Sequence, residues 1–424
     1  MRSRLLCLAA TALIGCIAAP VSAAHAAPTW PTIVKAQGTI YDVDAGRILF
    51  RKSNDQFAVM DRRTEAITPI PVVPNRPPRF GRLTSHGAIL AVTSETGPSV
   101  FEWRDGQLIQ RGVGYVDSLE VAGSHAAWSA RPSFSDPPSV FHLDLDTGVV
   151  TPLATDAGSE DVADNGDVVY ETGDHSIVRW RAGLATTLAA SSGSVWAADP
   201  RTDGINAVWS EGPACDCTGD HSIHGYGPAG PFTLANTTRQ GGINADREYR
   251  TAGGWIAFTR VGTGGPPTVW VRDPFGVETQ IGNATLVPEI VALGTDGQAI
   301  FVSSTGHVLA VPGATPVPVG FPGELWTWAR ELHINYLFEA GSRWYGAIGN
   351  SIVRLSLTDE PTDGAETAID SAPKGSVSST AALMNAQPRK RSLRIHPSRT
   401  SKMTRRRASG SLVRLSTSLT NHSW

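Results

Sequence analysis

Short runs of apolar and β-branched residues recur along most of this chain, separated by turns that contain Gly, Asp or Asn. Each repeating unit has one strongly apolar run, and an aromatic residue or Leu marks it. The markers stand 36 to 49 residues apart, at Phe50, Leu90, Trp128, Tyr170, Trp209, Phe258, Phe301 and Leu337. Because a four-stranded propeller blade takes about 40–50 residues, this period is typical of a β-propeller.

The order of strands is the same in each unit. A turn precedes the marked strand, as at 164–166 and 295–297, a third strand follows, as at 140–144, and a short fourth strand ends the unit, as at 149–153. Tight Gly-bearing turns between such runs are hairpin signals, and no segment from 30 to 357 has helical apolar spacing. We predict an all-β fold, a single β-propeller of eight blades over residues 30–357, with seven blades as the alternative.

Two sequences in these units also resemble a known type of repeat. They are His-Leu-Asp-Leu-Asp-Thr-Gly-Val-Val-Thr-Pro-Leu at 142–153 and Asp-Asn-Gly-Asp-Val-Val-Tyr at 164–170. Both are similar to repeats of the TolB-like and WD40-like bacterial β-propellers. The resemblance covers residues 35–357 and implies a propeller architecture.

Residues 1–26 are typical of an export signal. Arg2 and Arg4 precede an apolar stretch from Leu5 to Ala19, which is short for a membrane span. Ala24-His25-Ala26 provides the small-x-small pattern of a cleavage site. Alternatively, Leu-Ile-Gly-Cys at 13–16 resembles a lipobox that would leave Cys16 lipidated. We expect a secreted or periplasmic protein, with a lipid anchor through Cys16 as the alternative, and no transmembrane span.

Charge divides the chain into two parts. Residues 371–424 contain 11 Lys and Arg and no acidic residue, whereas residues 1–370 contain 25 basic and 39 acidic residues. We predict a disordered tail over 358–424, basic from 371, which is either an electrostatic tether or a translated non-native reading frame. The acidic body disfavours nucleic acid as its partner.

The longest predicted loops join the second strand of a unit to the third. In a propeller these loops share one face, where binding sites on rigid scaffolds usually lie. We expect them at 131–138, 211–221 and 261–267. The candidate ligand-contacting residues are Phe134, Asp136, Glu211, Asp216, Asp220 and Gly264.

Acidic residues recur where each fourth strand leads into the next unit. If these acids surround the central channel, its mouth is acidic and favours a cation or a basic peptide. The candidates are Asp117, Asp161, Asp199, Asp246, Glu289 and Glu324. The alternative is a solvated rim without a ligand, because Asp and Glu are common in turns.

Four potential metal ligands lie within ten residues of one another. Cys215, Cys217, His221 and His224 are of the types that bind zinc or copper, although Cys-x-Cys is not the usual zinc spacing. A disulfide between the two cysteines and a pair of ordinary thiols are the alternatives. We predict no cofactor other than a zinc or copper ion at these four residues.

Enzyme signatures are weak by comparison. No Gly-x-Ser-x-Gly elbow occurs between residues 30 and 357, and we expect no α/β domain after the propeller. The sequence therefore favours a monomeric binding or scaffold protein that presents its loops to a protein, a peptide or an envelope polymer. The alternative is a propeller glycoside hydrolase or lyase that uses carboxylates in an acidic central mouth.

Overall fold

The computed structural model describes residues 32–354 except for 45, 72–77, 93–96, 214–219, 239–247, 262–265, 286–289, 320–336, 341–342 and 349–350. The chain divides into residues 1–361 and 362–424, and every described strand belongs to the first part. The predicted signal, Cys16 and the predicted tail lie outside the described residues. Within those residues we find no helix with the length and apolarity of a membrane span.

The strands form eight four-stranded antiparallel sheets, or blades. The first four blades follow chain order. Blade 1 contains β2 (Gly38–Val43), β3 (Arg47–Lys52), β4 (Phe57–Asp61) and β5 (Ile67–Pro69); blade 2 contains β6 (Pro78–Thr84), β7 (Gly87–Val92), β8 (Pro98–Arg104) and β9 (Gln107–Val113); blade 3 contains β10 (Tyr115–Ala122), β11 (His125–Arg131), β12 (Ser139–Asp144) and β13 (Val149–Thr155); blade 4 contains β14 (Ala157–Val162), β15 (Val168–Thr172), β16 (Ile177–Arg181) and β17 (Leu184–Ala189).

The remaining blades continue this order, and the last one also takes the first of the described strands. Blade 5 contains β18 (Val195–Thr202), β19 (Ala207–Pro213), β20 (Asp220–Gly227) and β21 (Gly230–Thr238); blade 6 contains β22 (Tyr249–Ala252), β23 (Trp255–Arg260), β24 (Thr268–Arg272) and β25 (Glu278–Asn283); blade 7 contains β26 (Ile290–Leu293), β27 (Ala299–Ser303), β28 (Gly306–Ala310) and β29 (Val317–Pro318); blade 8 contains β30 (Leu337–Ala340), β31 (Arg343–Ile348), β32 (Ser351–Arg354) and β1 (Thr32–Lys35).

The eight sheets confirm the predicted all-β propeller. First strands of successive blades contact one another from β2 to β30, as expected of strands around a central axis. The pairing of β1 with β32 makes the strand nearest the N-terminus the outermost strand of blade 8.

The core consists of apolar clusters between successive blades. Seven of the predicted markers are buried second-strand residues: Phe50, Leu90, Trp128, Tyr170, Trp209, Phe258 and Phe301. Trp128, for example, joins side chains of blades 2 and 3 in one cluster. The eighth marker is misplaced, because Leu337 lies in β30, the first strand of its blade, and the second strand is β31.

The two ends of a blade have different connections. Loops between second and third strands lie at the same end as the links between blades, and we call this the loop end. Turns between first and second strands, and between third and fourth strands, lie at the opposite end, the turn end. At the turn end the predicted Gly positions are used as expected, since Gly166, Gly204 and Gly297 all have φ near +80°, which L-residues rarely adopt.

Removing β1 should destabilise the propeller, because blade 8 loses its outer strand and β32 is left with an unpaired edge. A chain that lacks residues 1–35 should unfold at a temperature lower by about 5 °C or more than one that lacks only residues 1–26. Differential scanning calorimetry would measure both. Equal melting temperatures would contradict the pairing of β1 with β32.

Candidate functional site

A single equivalent position in six first strands carries a charged residue. It pairs with the second strand at Leu49, Ile89, Ala127, Val169, Val208 and Ala257 in blades 1 to 6. We call these six residues the charged belt: Asp42, Arg82, Glu120, Asp161, Arg201 and Arg250. Three acids and three arginines give the belt no net formal charge.

Two carboxylates of the belt link neighbouring blades. Asp42 accepts hydrogen bonds from the amides of Val43 (2.9 Å) and, in blade 2, Leu83 (2.7 Å). Asp161 repeats this arrangement with Val162 (3.1 Å) and, in blade 5, Thr202 (2.7 Å). A first strand has no strand partner on its inner edge, so each carboxylate satisfies an amide that would otherwise lack a partner there.

Burial raises the pKa of both carboxyls, to about 6. Arg82 opposes this shift at Asp42, and Arg201 opposes it at Asp161. Glu120, which lies 3.8 Å from Arg82, raises the pKa of Asp161 further. These two belt carboxyls are therefore held between opposite and like charges rather than in bulk water.

Glu160 is buried beside the belt, between blades 3 and 4. Ser118 donates a hydrogen bond to its Oε1 at 2.6 Å, whereas its Oε2 has no hydrogen-bond partner. Burial, the largest effect, raises the pKa of Glu160 to about 7, and the charge of Glu120 contributes in the same direction. Glu160 is not among the predicted candidates, because no feature of the sequence distinguishes it from the neighbouring Asp161.

The predicted positions of the acids at the mouth need correction. Asp117, Asp161 and Asp199 lie within first strands, not in the links between blades, and Asp161 lies near the turn end of β14. Register shifts in β10, β14 and β18 fall at or beside these residues. Each bulge adds residues to its strand, so a count based on regular strands places these acids in a loop.

The described acids do not form a uniformly acidic ring. Asp161 belongs to the charge-balanced belt, and Asp117 forms an ion pair with Arg131 at 2.6 Å. The backbone oxygen of Asp199 accepts a hydrogen bond from the Tyr249 hydroxyl. Asp246, Glu289 and Glu324 lie outside the described residues, so their part of the predicted mouth stays a prediction.

The loop between β11 and β12 presents an aromatic side chain at the loop end. Phe134 is 72% exposed. The Asp136 amide donates to the Ser133 oxygen (3.1 Å), and the Ser133 hydroxyl donates to the Asp136 carboxylate (2.8 Å). Arg131 donates to the Phe134 oxygen (3.3 Å). The loop therefore holds Phe134 outward in a defined position.

Basic and aromatic side chains surround Phe134. The ring of Tyr115 meets it edge-on, with 5.8 Å between centroids. Arg79 of blade 2 donates to the Tyr115 hydroxyl at 2.8 Å, and Arg131 lies 5.9 Å from the Phe134 centroid. We call Arg79, Tyr115, Arg131 and Phe134 the loop-end cluster.

A second aromatic group lies at the loop end of blades 4 and 5. His175 stacks on Trp196 with 3.8 Å between ring centroids, and its Nδ1 lies 2.6 Å from Glu171. The His175 oxygen accepts a hydrogen bond from the Ala197 amide at 3.0 Å. One face of the Trp196 ring is therefore covered by His175.

The predicted loop at 211–221 is shorter than expected. Glu211 lies in β19, and Asp220 and His221 lie in β20, because these strands continue to pair as far as Glu211 with Ser222. Asp216, Cys215 and Cys217 lie outside the described residues, as does Gly264 in the next long loop. The disulfide, thiol and metal alternatives therefore stay open.

The described part of this region does not form a catalytic triad. Ser222 Oγ lies 2.6 Å from His224 Nε2, and a Glu211 oxygen lies 3.7 Å from the same nitrogen. In a Ser-His-acid relay the acid contacts the opposite ring nitrogen, where Thr233 stands at 3.3 Å. Within the described ranges no group of three or more His, Cys, Asp or Glu residues is placed to hold a metal ion.

Neither family models nor curated proteins match this chain. Solved structures that it matches are propellers of low similarity. The Dos1 propeller has 10% identity over 78% of this chain and 94% of its own, with a TM-score of 0.45. The oligogalacturonate lyase from Vibrio parahaemolyticus has 10% identity over 68% and 98%, with a TM-score of 0.38. The β-propeller domain of the Trilobed protease from Pyrococcus furiosus has 10% identity over 69% and 99%, with a TM-score of 0.39. The fold assignment therefore rests on the sheet order.

The raised pKa of Glu160 should make stability depend on pH. A folded-state pKa of about 7, above the ordinary glutamate value of 4.5, means that the native state holds this proton more tightly. Stability from this group is then fully present below pH 4.5 and is lost as pH rises through 7. Compared with the wild type, Glu160→Gln should therefore raise the free energy of unfolding more at pH 8 than at pH 5. The difference should be on the order of 2–3 kcal/mol.

Urea unfolding at both pH values would measure this difference. Glu65→Gln, at an exposed turn position, is the matched control and should leave the pH dependence unchanged. If Glu160→Gln showed the same loss of stability between pH 5 and pH 8 as the wild type, the buried carboxyl would not be its source.

Proposed function

We propose that this chain is an exported binding protein that recognises a protein or peptide at the loop end of blades 2 and 3, with Phe134 as the central apolar contact. The observation that carries the proposal is the exposure of Phe134 on a loop fixed by its own hydrogen bonds. Because the loop is already ordered, little conformational entropy is lost on binding.

The composition of the loop-end cluster supports a protein or peptide partner. Aromatic residues and Arg are enriched among the residues that dominate binding energies at protein interfaces. Arg79 and Arg131 are held by Tyr115 and Asp117, so their positions are set before a partner arrives. The export signal predicted at residues 1–26 places such a partner in the envelope or outside the cell.

Catalysis at the centre has less support from the described residues. A glycoside hydrolase or lyase needs paired carboxylates that face one cavity. Asp42 and Asp161 instead bond to backbone amides of two blades, and Glu160 is buried beside Ser118. We therefore assign the function to the loop end and not to the central channel.

Phe134→Ser should remove the proposed contact without affecting the fold. The full-length wild type would be used to capture a partner from envelope extract, and the purified partner would then be titrated by isothermal calorimetry. We expect the dissociation constant to rise by about tenfold or more, since buried aromatic contacts are the usual hot spots. The melting temperature should stay the same because Phe134 is exposed.

Leu184→Ser is the matched control, since Leu184 is 69% exposed at the turn end of blade 4. It should leave affinity within about twofold of the wild type. The proposal would be wrong if no partner bound the wild type, or if the Phe134→Ser protein bound the same partner equally well.

A further inference from the structure

Exposed apolar side chains are concentrated at the turn end of blades 5 to 7. Ten large apolar residues are exposed among the described residues, and five of them stand in these turns or at their edges. We call these five the apolar turn surface: Ile205, Phe275, Val277, Val311 and Val317. Phe275, at 91%, is the most exposed of the ten.

The centre of this surface is continuous across blades 5 and 6. An atom placed at the Cβ position of Gly254 would lie 3.1 Å from Pro274 and 3.5 Å from Ile205. The turns of the two blades therefore meet over this glycine, with Phe275 directly after Pro274. The Asp203 carboxylate fastens the junction by accepting a hydrogen bond from the Gly254 amide at 2.7 Å.

The turn that carries Phe275 is rigid. Asp273 Oδ1 accepts hydrogen bonds from the amides of Phe275 (2.9 Å) and Val277 (2.8 Å). Gly276 has φ of +89°, which closes the turn. These hydrogen bonds from the turn backbone to Asp273 hold Phe275 in solvent, so no apolar partner is required to fix its position.

The charges around this surface are mostly negative. Asp203, Asp273 and Asp296 stand in its turns. Among the described residues of these turns and their flanking strand ends, Arg272 is the single base. It contacts Glu278 at 3.3 Å and covers the Phe232 ring. The nearest other bases, Arg201 and Arg250, belong to the charged belt. A partner with positive charge is therefore favoured, and anionic membranes or nucleic acid are disfavoured.

The turn end of blades 1 and 2 differs. Arg47, Arg62, Arg63 and Arg104 stand in or beside those turns. The turn end of blades 5 to 7 therefore differs from that of blades 1 and 2 in the sign of its charge.

We propose that the apolar turn surface docks a basic segment of a partner protein that inserts at least one large apolar side chain beside Phe275. This surface lies at the opposite end of the blades from Phe134, so the inference is independent of the proposed loop-end function. Apolar contact with Ile205 and Phe275 supplies affinity, and the three aspartates select positive charge.

The test uses the full-length chain and short synthetic peptides. Each peptide combines several Lys or Arg residues with one or two large apolar residues at different spacings. Two control sets replace the bases with Glu or the apolar residues with Ser. We expect some basic–apolar peptides to bind in fluorescence anisotropy, more weakly as salt rises, and neither control set to bind comparably.

Protein variants locate the site. The double variant Ile205→Ser with Phe275→Ser should raise the dissociation constant of the peptides by about tenfold or more. Leu184→Ser, in an equivalent exposed turn of blade 4, should have no effect. Asp273→Asn with Asp296→Asn keeps the turn acceptors, removes two charges and should reduce the salt dependence. Melting temperatures of all variants verify that they remain folded.

The proposal is overturned if no basic–apolar peptide binds, if Leu184→Ser weakens binding as much as Phe275→Ser, or if Glu-containing peptides bind equally well. Binding to vesicles of anionic phospholipid in place of peptides would also overturn it. Phe134→Ser should leave peptide binding at the apolar turn surface unchanged, so failure here and failure of the loop-end proposal are separate results.

Discussion

The unpaired edge of each first strand is the constraint on which this structure depends. Eight sheets can surround an axis only if eight strands stand side by side without forming a ladder with one another, and each then has amides that need other partners. Apolar packing between blades brings these strands together, but it cannot satisfy their amides. Asp42 and Asp161 do so by accepting hydrogen bonds from the next blade.

This solution places ionisable groups close together near the axis and determines what the axis is suited for. The belt has as many arginines as carboxylates, and Asp42 and Asp161 are bonded to backbone amides, so the first strands provide structural order and little free charge. Charge and apolar surface available for recognition lie instead in the connections at the two ends of the blades. Phe134 at the loop end and Phe275 at the turn end are both held outward by the hydrogen bonds of their own segments.

The sequence allowed the fold to be predicted because burial and repeat length reinforce each other. Seven marker residues such as Trp128 and Phe258 are buried where the strand order requires. Leu337 was assigned to the wrong strand, since blade 8 takes one strand from the other end of the chain and its local order cannot show this. Asp117, Asp161 and Asp199 were misplaced because a bulge shifts a residue count without changing composition.

The candidate sites were predictable only in part. Phe134 was found because its loop is long and contains Pro, whereas Phe275 was overlooked because a short Asp-Pro-Phe-Gly turn predicts a tight connection and says nothing about which side chain it exposes. The charged belt did have a signal, one charged residue of either sign in each of six repeats, at 42, 82, 120, 161, 201 and 250. The pattern is missed when only acidic residues are considered, because Arg82 and Arg201 at the equivalent positions are then left out.

The pairing of β1 with β32 has a consequence for how the chain reaches its fold. Thr32 is synthesised early, yet its partner Val353 is made after seven complete blades. Contacts between residues so distant in sequence form slowly, because the intervening chain must lose conformational entropy before the contact forms. Blades 1 to 7 can assemble one after another, whereas the eighth waits for the whole chain, so closure of the ring is the step at which a truncated or stalled chain would be distinguished from a finished one.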